Sequence, residues 1–222
     1  MTVLRALGKL LISIGCGVLL FVAWTLWGTG IYTAREQDRL ETLFAQAPDL
    51  QPVRTGGGGE GGGHVGPPSD YRPEPGDPVF KLQIPRIDFD QVVVEGVDTE
   101  QLRRGPGHYP TCRSGFELCL DEYEDSPWPG EKVRVVVSGH RTTYGAPFWD
   151  LDKLEAGDEV NVEAKWGRFV YEVSETDVVD DADLTVVTPV PQAELVLTTC
   201  NPRFSAAERL IVYAQLKEVE TT

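Results

Sequence analysis

Residues 195–212, LVLTTCNPRFSAAERLIV, decide how the folded part of this chain is interpreted. An apolar run ends on Cys200, a Pro-containing turn follows, and a second apolar run begins at Arg209. Short runs rich in Val, Leu and Ile predict two strands joined by a loop. Strand alternation then places Arg209 and Ile211 on one face of the second strand and Leu210 on the other.

The other strand candidates lie between residues 79 and 219 and share the same composition. They are VFKLQIPRIDFDQVVVEGV, EKVRVVVSGH, DEVNVEAKWGRFVYEVSETDVV, AELVLTTC and RLIVYAQLKEV, separated by Gly, Pro and Asp. Only QLRRGPGHY and FWDLDKL predict short helices or turns. The pattern predicts an all-β domain, a mainly antiparallel barrel or sandwich. KWGRF predicts a hairpin turn, and Pro85 predicts a strand break or an edge.

Length and charge limit the possible functions. With 222 residues the chain has room for one domain of catalytic size and accessory segments. Its 35 acidic and 20 basic residues give a formal net charge of −15. This charge repels phosphate backbones, so nucleic acid is excluded as a partner.

The N-terminal region predicts a membrane anchor. Residues 10–31 carry no charge and, as a helix, reach ~33 Å, enough to cross a bilayer. We expect a cytoplasmic tip at 1–9 and a single-pass transmembrane anchor at 10–34. Arg5 and Lys9 precede the span, which favours a cytoplasmic N-terminus and an extracellular domain. A cleavable signal peptide is the alternative, but its apolar region is shorter and ends in small residues.

Two segments are expected to connect the anchor to the folded domain. Residues 35–47 predict a short amphipathic stalk. The apolar side chains on one face of that stalk are Leu40, Leu43, Phe44 and Ala47. Residues 48–78 form a Gly-rich and then Pro-rich linker, expected to hold a catalytic domain at 79–219 about 30 Å from the stalk.

Three chemically capable side chains lie at predicted strand ends. His140 and Cys200 each end an apolar strand, and Arg209 begins one. A thiol, an imidazole and a guanidinium are the parts needed for acyl transfer: a nucleophile, a proton carrier and a stabiliser of the oxyanion. Singly, each has an ordinary explanation: a buried thiol, a surface histidine or an edge-strand charge. Strand periodicity does not show that the three converge.

Four stretches in collinear order resemble the sortases, in particular the class E sortases of Gram-positive bacteria. They are KLQIPRI, LRRGPGHYP, SGHRTTYGAPFWDLDKLEAGD and LTTCNPRFSAAERLIVYAQL, within roughly residues 79 to 218. The resemblance implies a closed eight-stranded sortase-type β-barrel and cysteine transpeptidation without a cofactor or metal. It implies His140 as general acid/base, Cys200 as nucleophile and Arg209 as the substrate and oxyanion ligand.

The same resemblance suggests substrate-binding residues. The family's motif before the cysteine is Thr-Leu-x-Thr-Cys, and in this chain Val196 replaces the first Thr. Thr198 and Thr199, beside Cys200, are expected to bind substrate. Tyr109 is the candidate for reading the second position of a Leu-Ala-x-Thr-Gly or Leu-Pro-x-Thr-Gly signal; a barrel-rim aromatic is the alternative.

The implied reaction is cleavage of a C-terminal sorting signal between Thr and Gly through a thioacyl-enzyme. An amine of a cell-wall precursor of the lipid II type would then accept the secreted protein. Alternatives are a pilin-polymerising sortase that uses a Lys acceptor, a hydrolytic cysteine peptidase, and a non-catalytic membrane-tethered binding domain. The Gly/Pro linker shows no clear lid segment, which favours cell-wall anchoring.

An apparent insertion carries two further cysteines. Cys112 and Cys119 lie in an acidic stretch between the Tyr109 motif and the strand that leads to His140. Outside the membrane they are expected to form a disulfide. By restricting the unfolded chain, this disulfide would stabilise the folded state by ~2–3 kcal/mol. A metal site with His108 is the alternative, although its ligand set is incomplete.

Overall fold

The computed structural model describes residues 2–55, 64–110, 127–188 and 190–220. The chain begins with helix α1 (Thr2–Ala23), a π-helical turn (Trp24–Gly28) and helix α2 (Thr29–Gln46). Two short strands, β1 (Val53–Thr55) and β2 (His64–Gly66), pair with each other before the main domain. Helix α3 (Thr99–Leu102) and three 3-10 turns (Pro85–Ile87, Leu151–Lys153 and Leu184–Val187) connect the later strands.

Eight strands close into a barrel, which confirms the expected fold class. In chain order they are β3 (Pro78–Ile84), β4 (Phe89–Glu95), β5 (Gly107–His108), β6 (Arg134–Ser138), β7 (Glu159–Ala164), β8 (Gly167–Asp180), β9 (Glu194–Asn201) and β10 (Glu208–Glu220). Around the barrel the order is β10-β8-β7-β3-β4-β5-β6-β9, and β9 pairs with β10 to close it. All pairs are antiparallel except β4 with β5 and β6 with β9.

Strand alternation explains how the barrel is packed. On β10, Leu210 and Val212 point into the main core, whereas Ile211 joins a second apolar cluster on the outer face. The predicted hairpin is present, since β7 turns into β8 at Lys165 and Trp166. Pro85 ends β3 as expected, because it cannot donate to the strand ladder.

Helix α1 is exposed, and its continuation is docked on the barrel. Leu4–Ala23 is long and apolar enough to cross a membrane. The last part of the predicted anchor, 10–34, contacts the barrel domain, because Thr29 and Thr33 hydrogen-bond to it. Packing against the barrel domain, rather than hydropathy, therefore decides the environment of residues 29–33.

Helix α2 covers β4 with two of the four residues predicted for its apolar face, and Ala47 follows the end of the helix. Leu40 and Phe44 pack against Val92 and Val94. Leu43 is 42% exposed, because it lies beside this contact and not within it. Gln37 adds polar contacts, donating to the carbonyl of Val92 and accepting from its N–H.

The expected free linker is wrong for the described part of residues 48–78. Val65 is 2% exposed within the main core, and Leu50 and Tyr71 pack against that core. The Tyr71 ring meets Trp128 at 5.1 Å between centroids. A few apolar side chains between the Gly and Pro tracts are therefore enough to dock the segment along the barrel.

Candidate active site

The barrel topology brings the ends of three strands together. In the parallel pair β6 and β9, Ser138 is the register partner of Thr198. Two residues further along each segment lie His140 and Cys200. In the antiparallel pair β9 and β10, Cys200 is the partner of Arg209. Cys200 and Arg209 are thus direct cross-strand neighbours. His140 follows the end of β6, the strand on the other side of β9, at the same height along the barrel.

Two hydrogen bonds fasten the His140 loop to the Cys200 strand. The Gly139 N–H donates to the Thr198 carbonyl at 3.1 Å, and the Thr199 hydroxyl donates to the Gly139 carbonyl at 2.7 Å. Thr199 is 2% exposed and lies on the face opposite Cys200. The Thr199 hydroxyl is therefore engaged inside the barrel wall, and its expected role in substrate binding stays a prediction.

The His140 imidazole is half-buried and rests against an aromatic ring. Its centroid lies 5.0 Å from that of Tyr144, with 35° between the planes. Burial, and after it the positive charge of Arg103, lowers the pKa of His140 below its ordinary value of 6.5. Within the described residues the buried Nε2 has no hydrogen-bond partner.

Cys200 carries a free thiol that is partly exposed at the barrel rim. Opposite it, Arg209 Nη1 donates to the carbonyls of Ala206 and Glu208 at 2.9 and 3.0 Å. These bonds hold the guanidinium in the loop that joins β9 and β10. A thiolate and a fixed cation on neighbouring strands suit nucleophilic attack with stabilisation of an oxyanion.

Arg141 is a buried part of the site that the sequence did not single out. Its Nη1 donates to the Cys200 carbonyl at 3.2 Å and to Asn201 Oδ1 at 2.6 Å. Its Nη2 lies 3.0 Å from Asp152 Oδ2. The only sequence signal was a charge directly after His140. The guanidinium therefore connects the His140 loop to the backbone of the predicted nucleophile.

An outer apolar patch lies on the same barrel face as Cys200. Its members, each at most 5% exposed, are Val136, Val186, Val196 and Ile211, and the partly buried side chains packed against them are Tyr109, Val179, Val187 and Tyr213. Burial raises the pKa of Tyr109, and the charge of Arg209 opposes that rise, which places the phenol near the guanidinium. Thr198 belongs to this face by strand alternation and is buried beneath it.

His108 has a structural role. The ring is fully buried, with Nδ1 2.7 Å from Glu95 Oε2 and Nε2 2.9 Å from the Pro127 carbonyl oxygen. It also stacks on Trp128 at 4.7 Å. Both ring nitrogens are engaged in packing the domain. The predicted partners Cys112 and Cys119 lie outside the described residues, and among the described residues no group of three potential ligands surrounds a metal position.

Comparison with known proteins identifies the family. A sequence model described as a sortase domain matches residues 82–217. Sortase D of Bacillus subtilis is 35% identical over 152 residues, covering 66% of this chain and 68% of that protein. Sortase SrtE1 of Streptomyces coelicolor is 29% identical over 225 residues, covering 96% of this chain and 57% of that protein.

Solved structures agree with these relatives. Sortase E1 of Streptomyces coelicolor, with a tripeptide in its active site, superposes with a TM-score of 0.56 and 29% identity, covering 68% of this chain and 94% of that one. Sortase E of Streptomyces avermitilis gives a TM-score of 0.54 and 32% identity, covering 68% and 93%. The chain belongs to the sortase family of cysteine transpeptidases and is most similar to its class E members.

Proposed function

We propose that this chain is a membrane-anchored transpeptidase that attaches secreted proteins to the cell wall. It cleaves a C-terminal Leu-Ala-x-Thr-Gly or Leu-Pro-x-Thr-Gly signal between Thr and Gly, and Cys200, His140 and Arg209 perform the chemistry. The observation that carries this proposal is the register pairing of Cys200 with Arg209, next to the strand that leads to His140.

In the first half-reaction, the Cys200 sulfur attacks the carbonyl carbon of the signal's Thr. The Arg209 guanidinium stabilises the oxyanion that forms on the carbonyl oxygen. His140 gives a proton to the departing amine of Gly, the C–N bond breaks, and a thioester joins Thr to Cys200. We assign this transfer to Nε2 of His140, which has no hydrogen-bond partner among the described residues and is buried, so a small shift of the ring must accompany binding of the signal.

In the second half-reaction, a primary amine of a cell-wall precursor attacks the thioester. His140, now neutral, accepts the amine proton, the C–S bond breaks, and an amide forms as the thiolate of Cys200 leaves. One amide replaces another, so the exchange needs no external energy source. Water in place of the amine would give hydrolysis, and a Lys side chain would give a pilin-type product.

The protonation states of Cys200 and His140 determine what fraction of the enzyme can react. With ordinary pKa values of ~8.5 for Cys and ~6.5 for His, neutral pairs outnumber ion pairs by roughly a hundred to one, a gap of ~2.7 kcal/mol. The lowered pKa of His140 widens that gap in the free enzyme. We therefore infer that a minority ionised form reacts.

The outer apolar patch supports the assignment of the signal-binding groove. It lies on the Cys200 face and ends at Tyr109, beside Arg209. The four members of the patch are at most 5% exposed, so an extended apolar signal with its Thr carbonyl at Cys200 would lay its Leu and the following Ala or Pro against the partly buried side chains around them. We assign Tyr109 to the second signal position and Thr198 to the floor beneath the peptide.

The membrane arrangement follows from the N-terminal helix. Leu4–Ala23 would cross the bilayer once, with Arg5 and Lys9 near the cytoplasmic end. The barrel then lies on the extracellular side, where its substrates and a cell-wall amine are found. The predicted disulfide between Cys112 and Cys119 suits that compartment and leaves Cys200 reduced.

The test uses the full chain in detergent micelles with Leu-Ala-x-Thr-Gly and Leu-Pro-x-Thr-Gly peptides. Mass spectrometry follows the products with no amine, with a cell-wall-type peptide amine and with a Lys peptide. We expect an amide product that Cys200→Ala and His140→Ala abolish and that the control Cys16→Ala retains. A Cys200→Ala variant that still forms product would refute the proposal, and preference for the Lys peptide would identify a pilin-type enzyme.

A further inference from the structure

We infer that the first turn of helix α2, through Thr29, is a positioning element of the active site that holds the loop carrying His140. The inference rests on the proposed role of His140 as general acid/base. It assigns a function in catalysis to a helix whose sequence indicates only an anchor and a stalk.

A direct hydrogen bond joins the helix to the loop. The Tyr144 N–H donates to Thr29 Oγ1 at 3.1 Å, and the same hydroxyl donates to the Thr25 carbonyl at 2.9 Å. The Thr29 hydroxyl therefore accepts a hydrogen bond from the loop and donates its own proton within the helix. This geometry fixes the direction of the lone pair that Tyr144 uses.

Close backbone contact reinforces that bond. A Cβ added to Gly30 would lie 3.5 Å from Gly145 Cα, and one added to Gly145 would lie 3.5 Å from the Thr33 side chain. At these distances an added Cβ would make an ordinary van der Waals contact, so the helix and the loop lie about one methyl group apart. Thr33, which is 2% exposed, is sealed in this contact.

The loop needs external support because its backbone is strained. Tyr144, Gly145 and Ala146 have φ values of 52°, 74° and 47°, three consecutive residues in the left-handed region. This conformation is unfavourable for a residue other than Gly, so Tyr144 and Ala146 relax unless contacts hold them. Within the loop, the Ala146 N–H bonds the Thr143 carbonyl; the helix supplies the contact at Tyr144.

Tyr144 is also the residue on which the imidazole of His140 rests. The two ring centroids are 5.0 Å apart, and the Arg103 guanidinium lies 5.7 Å from the Tyr144 centroid. The helix contacts this second support as well, because Thr33 donates to the Arg103 carbonyl at 2.9 Å. Helix α2 therefore holds both residues that flank the proton-transfer group.

The experiment compares variants of the full chain in detergent micelles. Thr29→Val keeps the shape of the side chain but loses the oxygen, whereas Thr29→Ser keeps the oxygen. The matched control is Thr42→Val on the same helix, which loses only an intrahelical bond to the Asp38 carbonyl. We expect Thr29→Val to lower kcat about tenfold at unchanged KM, with Thr29→Ser recovering most of that loss and Thr42→Val showing none.

A spectroscopic measurement separates positioning from general stability. The chain has three histidines, so the imidazole resonances can be assigned by substitution. Thr29→Val should move the His140 resonance, and Thr42→Val should not. Should Thr29→Val fail to fold, Thr33→Val tests the same support from the Arg103 side, with the same expected fall in kcat and resonance shift.

Several outcomes would overturn the inference without touching the proposed function. The first is a kcat of Thr29→Val, or of Thr33→Val where that variant replaces it, equal to the kcat of Thr42→Val. The second is a His140 resonance that does not move. The third is an equal loss of kcat in Thr29→Val and Thr29→Ser. The proposed function fails instead when His140→Ala or Cys200→Ala keeps full activity. The two failures are distinguished in one set of assays.

Discussion

The Thr199 hydroxyl offers the sharpest test of how the two strand ends are aligned. Thr199→Val removes a 2.7 Å bond to the Gly139 carbonyl but keeps the side-chain shape. Because the acceptor lies in a buried wall, the free energy of unfolding should fall by about 1–3 kcal/mol. For a chain of this length that corresponds to a fall in Tm of roughly 2–12 °C.

Catalysis should suffer beyond the loss of stability. Gly139 directly precedes His140, and Thr199 directly precedes Cys200, so the broken bond loosens the alignment of the two groups. A misplacement of about 1 Å can cost on the order of a hundredfold in rate, so we expect kcat to fall ten- to hundredfold with KM nearly unchanged.

The assay combines thermal unfolding with peptide cleavage on the full chain. Thr199→Ser keeps the hydroxyl and loses one methyl group, worth about 1 kcal/mol, so it should retain most of the activity. Thr188→Val removes an exposed hydroxyl bond to Leu184 and should change stability by less than about 0.5 kcal/mol. The reasoning is refuted when Thr199→Val matches wild type in both Tm and kcat, or is the better of the two Thr199 variants.

Three further predictions concern protons and packing. The rate of peptide cleavage against pH should be bell-shaped because the reaction needs a deprotonated sulfur and a protonated imidazole, and a flat profile from about pH 5 to 10 would contradict this. The pKa of His140 is lowered in the folded state, so its contribution to stability is complete above the ordinary value of 6.5 and is lost as the pH falls through the folded pKa. Denaturation of His140→Asn at a series of pH values should show a weaker loss over that acidic window than wild type, and an equal loss would count against it. Leu40→Ala, at a fully buried position on α2, should lower the free energy of unfolding by about 2–5 kcal/mol. Leu43→Ala, at an exposed position on the same helix, should lower it far less. Equal effects would show that α2 is not docked through Leu40.

The fold was predictable to the level of its class and strand positions. Val-rich runs separated by Gly and Pro marked the strands, and the alternation on β10 correctly separated Leu210 and Val212 from Ile211. The resemblance to sortases supplied barrel closure, which periodicity alone left open between a barrel and a sandwich. Closure depends on long-range pairing such as β6 with β9, and no local pattern encodes that pairing.

Errors arose where tertiary contacts override local composition. The linker was expected to be free because Gly and Pro dominate it, yet Val65 and Tyr71 find apolar partners on the barrel. The contact of Thr199 with Gly139 had no local signal either, because it joins residues 60 positions apart in the chain. Arg141 was overlooked because a single charge in a loop has no period.

The sequence alone determined which groups can perform chemistry here: one thiol, one imidazole and one guanidinium, each placed where an apolar run starts or stops. Identity and order along the chain are enough for that, because they depend on residue type and hydrophobic pattern. Only the tertiary structure decided that Arg209 is paired with Cys200, that Thr199 ties the His140 loop to the same wall, and that Thr29 reaches Tyr144. Those contacts join residues far apart in the chain, and they exist only once the barrel has closed and α2 has docked.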